Sequence, residues 1–269
     1  FTILDKYRYK ILSFNDDIQG TGSVALAGIL NALRLSKEDI NNQRFVIYGA
    51  GAGGVGIARR IAACLESKCK ISKEKACNRI VIIDSKGMVT EERKIQDYKK
   101  PFSKNKNFYR SWNLKDSSRI TLIDVIKNFK PTVLIGTSGC SGHFTSDILK
   151  EMAKNTKRPI IFPLSNPTSN SETNPKQIYK VTKGKAIVAT GSPFEPFNYD
   201  GKTVTIGQGN NFLIFPGVGL GAIISEGSYI NDAVFTESAY TLSELTPDKL
   251  IKKGIVYPLI TDIRNISAN

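Results

Sequence analysis

The sequence predicts an α/β fold, a doubly wound and mostly parallel sheet with helices on both faces. Three observations carry that prediction. Short runs rich in Ile and Val recur along the chain without alternating with polar residues, the pattern of strands covered on both faces. Helical patterns lie between them. A glycine cluster, YGAGAGGVGIA at Tyr48–Ala58, stands where the first strand would give way to a helix.

Ahead of the first strand, TGSVALAGILNALRL (Thr21–Leu35) reads as a helix whose Gly and Ala residues permit close packing. The predicted strands are RFVIYG (Arg44–Gly49), RIVIID (Arg79–Asp84), TVLIGTS (Thr132–Ser138), PIIFPLS (Pro159–Ser165) and KAIVATGS (Lys185–Ser192). Gly56–Lys68 carries Ile57, Ile61, Cys64 and Leu65 on one helical stripe, and Ile120–Phe129 carries Leu122, Ile123, Ile126 and Phe129 on another. Ser146–Lys154 and Pro175–Val181 are shorter helical patterns, and Lys68–Asn78 is a polar insert. GQGNNFLIFPGVGLG (Gly207–Gly221) reads as a loop feeding a helix, and Thr236–Asn269 as helices followed by an irregular end.

The chain has 269 residues, room for one large domain or two small ones. It opens on Phe1 in mid-pattern, which reads as a piece of a longer polypeptide. No apolar run is long enough to span a membrane, and no membrane partner is expected. Of the four cysteines none forms a CxxC pair, and the single histidine is His143. A zinc site is therefore not expected, and the thiols fit a reducing compartment. The reading is cytoplasmic, with an organelle as the alternative, because a transit peptide would lie upstream. The net charge of +14 admits nucleic acid, a membrane surface or an anionic small molecule as partner. The lysines are scattered and no aromatic-interleaved basic cluster is present, so the expected partner is a phosphorylated ligand and not nucleic acid.

Gly49-x-Gly51-x-x-Gly54 fits the dinucleotide fingerprint, and Gly51-x-Gly53-x-x-Gly56 fits it again. One glycine allows the tight turn, one lets backbone approach a pyrophosphate, and one lets helix and strand pack closely. The helix N-terminus then offers free N–H groups and a positive dipole end to phosphate. The fold is accordingly Rossmann-like. The acid that holds a ribose hydroxyl belongs at the end of the second strand, where Asp84 stands. Asp84 either caps that strand or contacts the ribose. SFNDDIQGTG (Ser13–Gly22) places Asp16 and Asp17 side by side; taken alone it is either a solvated turn or a cation site.

A set of motifs then occurs in order: FNDDIQGT (Phe14–Thr21), GAGAGGVGIA (Gly49–Ala58), VIIDSKGMV (Val81–Val89), PIIFPLSNPTS (Pro159–Ser169), ATGSPFEP (Ala189–Pro196), GQGNNFLIFPGVGLG and IVYPLITDIRNIS (Ile255–Ser267). Together they resemble the malic enzymes, the oxidative decarboxylases of malate. The resemblance implies the C-terminal NAD(P)-binding domain at 21–269, with 1–20 as a remnant of the connection to a catalytic domain. It implies that the catalytic Tyr and Lys and two further acidic metal ligands lie upstream of Phe1, so that no catalytic residue is expected in this chain. Asp17 matches a ligand of Mg²⁺ or Mn²⁺, with Asp16 in support. Asn166 and Asn211 match positions that bind the substrate carboxylates and border the cofactor; by residue type alone each is equally an Asn capping a turn. Gly49, Gly51, Ala52 and Gly54 would bind the pyrophosphate, Asp84 the ribose, and Thr137 and Ser138, with Gly139, would line the nicotinamide side. His143 is read as structural. Ser85 after Asp84, and Lys99, resemble the NADP-dependent members, with Lys100 as the alternative to Lys99. A hydroxyl and a cation suit a 2′-phosphate. NADP is the expected cofactor and NAD the alternative; malate and pyruvate are the expected substrate and product, in a homodimer or homotetramer. The competing reading is a non-catalytic NAD(P)-binding module.

Overall fold

A computed structural model describes residues 1–114 and 116–269. A short helix, α1 (Thr2–Tyr7), is followed by one π-helical turn, Asp16–Gly20, which runs without a break into α2 (Thr21–Ser36). Strands and helices then alternate: β1 (Phe45–Tyr48), α3 (Ala52–Cys69), α4 (Lys73–Asn78), β2 (Ile80–Asp84), β3 (Gly87–Met88), α5 (Lys106–Tyr109), α6 (Leu122–Phe129), β4 (Val133–Gly136), α7 (Ser146–Asn155), β5 (Ile160–Pro163), α8 (Pro175–Thr182) and β6 (Ile187–Thr190). A small hairpin, β7 (Phe197–Tyr199) and β8 (Lys202–Val204), precedes β9 (Gly207–Gln208) and the helices α9 (Phe215–Ile224), α10 (Asp232–Glu244), α11 (Asp248–Ile251) and α12 (Ile263–Ala268).

The sheet order is β3-β2-β1-β4-β5-β6-β9. Its pairs are parallel except β2 with β3. Ile47 sits in register with Ile82 on one side and Ile135 on the other. The chain leaves β1 outward to β2 and returns to the opposite side at β4, so strand order reverses between β1 and β4. That reversal opens a crevice at the carboxyl ends of the strands. Successive side chains of β1 divide between two cores: Phe45 and Ile47 pack with α2, α3 and α10, and Val46 with α6, α7 and α8. Burial on both faces is what an unalternating Ile/Val run predicts.

The five predicted strands form, each one to four residues shorter than the apolar run that announced it. The residues trimmed at the carboxyl ends, such as Gly49, Ser138 and Ser165, belong to the loops of the crevice. Helix α3 starts at Ala52, inside the glycine cluster, and not at Gly56. The polar insert holds α4, whose N-cap Ser72 accepts the Lys75 N–H. The tail ends in helix α12 and not in an irregular segment. Strands β3, β7, β8 and β9 span two or three residues each, too few to show a period in sequence.

Two close approaches fix the amino end of α3. A Cβ on Gly54 would lie 1.7 Å from the Gly49 carbonyl oxygen, and one on Gly56 would lie 2.1 Å from the Ile18 carbonyl oxygen. We expect Gly54→Ala to destabilise the fold by several kcal/mol, because backbone and not a movable side chain blocks the methyl group. A denaturant midpoint shift below that of an ordinary surface substitution would refute this.

Lys104 is buried, donates to the Cys77 carbonyl at 2.7 Å and lies over the Phe108 ring. Burial pushes its ammonium down to about 8. An unfolded lysine keeps its proton to ~10.4. Between those values the unfolded state binds more protons, so stability rises with pH. Relative to Lys104→Met, the natural protein is expected to gain up to roughly 3 kcal/mol between pH 8 and 10.5. Parallel denaturation curves for the two proteins across that interval would refute it.

Candidate functional site

A cleft of about 220 Å³ at the carboxyl edge of the sheet brings together Asp16 and Asp17, Thr137 after β4, Asn166 after β5, and Asn211 ahead of α9. The π-helical turn that carries the two acids is held at its start. Asn15 Oδ1 accepts the Ile18 N–H at 3.0 Å, and Gln19 Oε1 accepts the Asn15 N–H at 2.9 Å. Asn211 Nδ2 donates to Asp16 Oδ2 at 3.1 Å, and Asn211 Oδ1 accepts from the Thr21 hydroxyl at 3.2 Å. Both ends of that amide are thus engaged inside the protein, orienting Asp16. Asp16 Oδ1 is buried with no partner. Burial, with the neighbouring Asp17 charge, raises the Asp16 carboxyl above the ordinary range against the opposing Asn211 bond. Asp17, next on the turn, is exposed. An unpartnered buried carboxylate oxygen beside an exposed carboxylate fits part of the oxygen shell of a hard divalent cation. Among the described residues no group of three or more acidic, His or Cys side chains is placed to complete it.

The glycine turn lies beside this cleft. The Thr137 hydroxyl donates to the Gly49 carbonyl at 3.0 Å, joining the loop after β4 to the turn. Gly51 caps α3, and a Cβ there would meet nothing within 4 Å. Ala52, exposed, and Gly54, buried, lie in the first turn of that helix.

Asp84 stands at the end of β2, with Ser85 exposed after it. Arg93 Nη2 lies 2.8 Å from both Asp84 oxygens, and Lys99 Nζ lies 3.5 Å from Oδ2. Burial alone would push the Asp84 carboxyl up. The Arg93 bonds, the Lys86 N–H and the Arg93 and Lys99 charges outweigh it and hold the group below the ordinary value. Lys99 is buried at this rim, whereas Lys100 pairs with Asp97 at the exposed surface, so of the two lysines it is Lys99 that faces Asp84. Arg93 was not legible in sequence, being one cation among many in a polar loop. His143 Nδ1 shares a 2.7 Å hydrogen bond with the Tyr48 hydroxyl. Asn166 is exposed and joined to Pro167 by a cis peptide bond. Ser138 turns inward, its N–H and hydroxyl both donating to Glu172. Thr21 and Glu172 also escaped the sequence reading; neither carries a spacing signal.

A larger groove, about 540 Å³, runs between α9, α10 and α12, but Glu237 is the one charged side chain in its lining. The polar chemistry is concentrated in the smaller cleft.

Residues 18–269 match the family model described as the malic enzyme, NAD binding domain. The NADP-dependent malic enzyme of Dictyostelium discoideum is 42% identical over 269 residues, covering 99% of this chain and 48% of that protein. NAD-dependent malic enzyme 3 of Bacillus subtilis is 40% identical, covering 99% of this chain and 47% of that protein. The crystal structure of the Entamoeba histolytica malic enzyme superposes with a TM-score of 0.72 at 30% identity, covering 99% of this chain and 50% of that one. The chain spans about half the length of these relatives. With the reversed strand order, the glycine turn and the acid-bearing cleft all in place, the chain belongs to the malic enzyme family, as its NAD-binding domain.

Proposed function

We propose that the whole protein converts (S)-malate and NADP⁺ to pyruvate, CO₂ and NADPH with a divalent cation, Mg²⁺ or Mn²⁺. In this reading the chain supplies the cofactor-binding part and one wall of the substrate cleft. The observation that carries the reading is the cleft itself, where Asp16, Asp17, Thr137, Asn166 and Asn211 converge from distant parts of the sequence. Asp17 would hold the cation and Asp16 support it. The cation would act as a Lewis acid on the C2 oxygen of malate and on the charge that develops as CO₂ departs. Asn166, exposed at the cleft, would orient a malate carboxylate. Asn211 would serve chiefly through Asp16, since its amide is already engaged there. The remaining acid–base groups would come from outside this chain.

The choice of NADP rests on the rim at Asp84. Two cations, Arg93 and Lys99, face a single carboxylate, which leaves the rim positive for a 2′-phosphate, with the Ser85 hydroxyl beside it. An NAD-dependent enzyme is the second reading, and Asp84 favours it: a free carboxylate there would take ribose hydroxyls. Arg93 already occupies both of its oxygens.

In the whole protein, malate-dependent NADPH formation is expected to require Mg²⁺ or Mn²⁺. Asp17→Ala should lower kcat by more than about 100-fold, the loss known for outer-shell partners alone, with the NADP dissociation constant nearly unchanged. Full activity without a divalent cation, or in Asp17→Ala, would overturn the cation assignment. Lys99→Ala is expected to weaken NADP about tenfold and leave NAD unaffected. Tighter binding of NAD than NADP by the natural protein would select the second reading. Gly51→Ala should leave stability within about 0.5 kcal/mol, since the space is open, yet weaken both nucleotides about tenfold. Undiminished nucleotide affinity would remove the pyrophosphate from that turn.

A further inference from the structure

Among the described residues Glu172 is the only acidic side chain that is fully buried. Its partners are a backbone amide and hydroxyls. Oε1 accepts the Ser138 N–H at 2.8 Å, the Ser138 hydroxyl at 2.8 Å, and the Ser165 hydroxyl. Each hydroxyl in turn accepts another amide. Ser165 Oγ takes the Gly139 N–H at 2.9 Å, and Ser138 Oγ takes the Cys140 N–H at 3.2 Å. The N–H groups of Ser138, Gly139 and Cys140 therefore all lead to one carboxylate oxygen, the first directly, the second through the Ser165 hydroxyl and the third through that of Ser138. The other oxygen, Oε2, is buried without a partner. The carboxyl lies flat on Gly136, where a Cβ would fall 2.4 Å from Glu172 Cδ.

Consecutive amides turned inward make an anion-accepting concavity. Left empty beside a nucleotide site, such a concavity would compete for the ligand's phosphates. Here the protein's own carboxylate fills it, and hydrogen bonds to a charged acceptor are about twice as strong as neutral ones. The same oxygen joins the loop after β4, which carries Thr137 and Ser138, to the loop after β5, which carries Ser165 and Asn166. We infer that Glu172 is a positioning residue. It locks these two loops together and so sets the nicotinamide ring of the cofactor against the substrate held at Asn166. The inference rests on the function proposed above.

The test uses the whole protein with Glu172→Gln. A glutamine either turns its NH₂ toward the three donors, which breaks the lock, or keeps a neutral oxygen there and places its NH₂ in the buried position that offers no acceptor, which weakens it; either way the shape changes little. Binding is measured for NADPH and for 2′-phospho-ADP-ribose, which lacks the nicotinamide. The expected result is NADPH weakened about tenfold with 2′-phospho-ADP-ribose within twofold of the natural protein. Malate turnover should fall between ~10- and ~100-fold in kcat, as misplacement by an ångström does, with a larger primary isotope effect from malate deuterated at C2. Ser165→Ala, which removes one of the three donors to Oε1 and releases Gly139, leaves both Ser138 bonds in place; it should shift the same readouts in the same direction by less, and it carries the comparison if Glu172→Gln does not fold. Equal weakening of both nucleotides, or an unchanged NADPH affinity and kcat per folded site, would overturn the assignment and leave Glu172 a packing residue. Failure of the natural protein to oxidise malate would count against the proposed function, while the nucleotide comparison would still decide the role of Glu172.

Discussion

Gly49, Gly54 and Gly56 let the amino end of α3 approach two other stretches of backbone, and the crevice depends on that approach. Gly54 packs on the carbonyl of Gly49, Gly49 on the backbone of Thr137, and Gly56 on the carbonyl of Ile18. The glycine turn, the loop after β4 and the acid-bearing π-helical turn are thereby brought to one point. Each contact is backbone to backbone, where no rotamer change relieves a methyl group. Sheet topology adds the remaining element, because only the reversal between β1 and β4 leaves room above the strands for a ligand.

Charge is distributed around the crevice with some economy. The acidic end, Asp16 and Asp17, is kept apart from the basic rim at Asp84, where Arg93 and Lys99 outnumber the carboxylate. Between the two lies the loop after β4, whose inward amides are answered by Glu172. Much of the +14 net charge resides on scattered surface lysines, and it is these few buried or half-buried groups that give the site its polarity.

The sheet and the glycine turn were legible in sequence because burial on both faces and backbone contact leave plain marks: unbroken Ile/Val runs and glycines at fixed spacing. Asp16, Asp17, Asn166 and Asn211 were legible only through motifs, and Thr137 only by its place after a predicted strand, since nothing in local pattern says that residues so far apart share a cleft. Arg93, Thr21 and Glu172 were not legible at all. Arg93 is hidden in a loop full of lysines, Thr21 acts through Asn211, and Glu172, in an otherwise ordinary polar stretch, becomes significant only when the fold buries it under the loop after β4. The short strands β3 and β9 escaped for a simpler reason: two residues carry no period. The helical end at α12 escaped because it buries a single residue, Ile266, against the rest of the fold.

The unbroken run from the π-helical turn through α2 bears on how the crevice can move. Asp16 and Asp17 sit at the end of a long helical rod packed into the main core through Val24, Leu26 and Ile29, and the glycine turn is wedged against that same rod. Acid pair and glycine turn are therefore packed against one and the same element. A substitution that loosens α2 would disturb the acid pair and the glycine turn together, while leaving the loops on the far side of the cleft to their own supports.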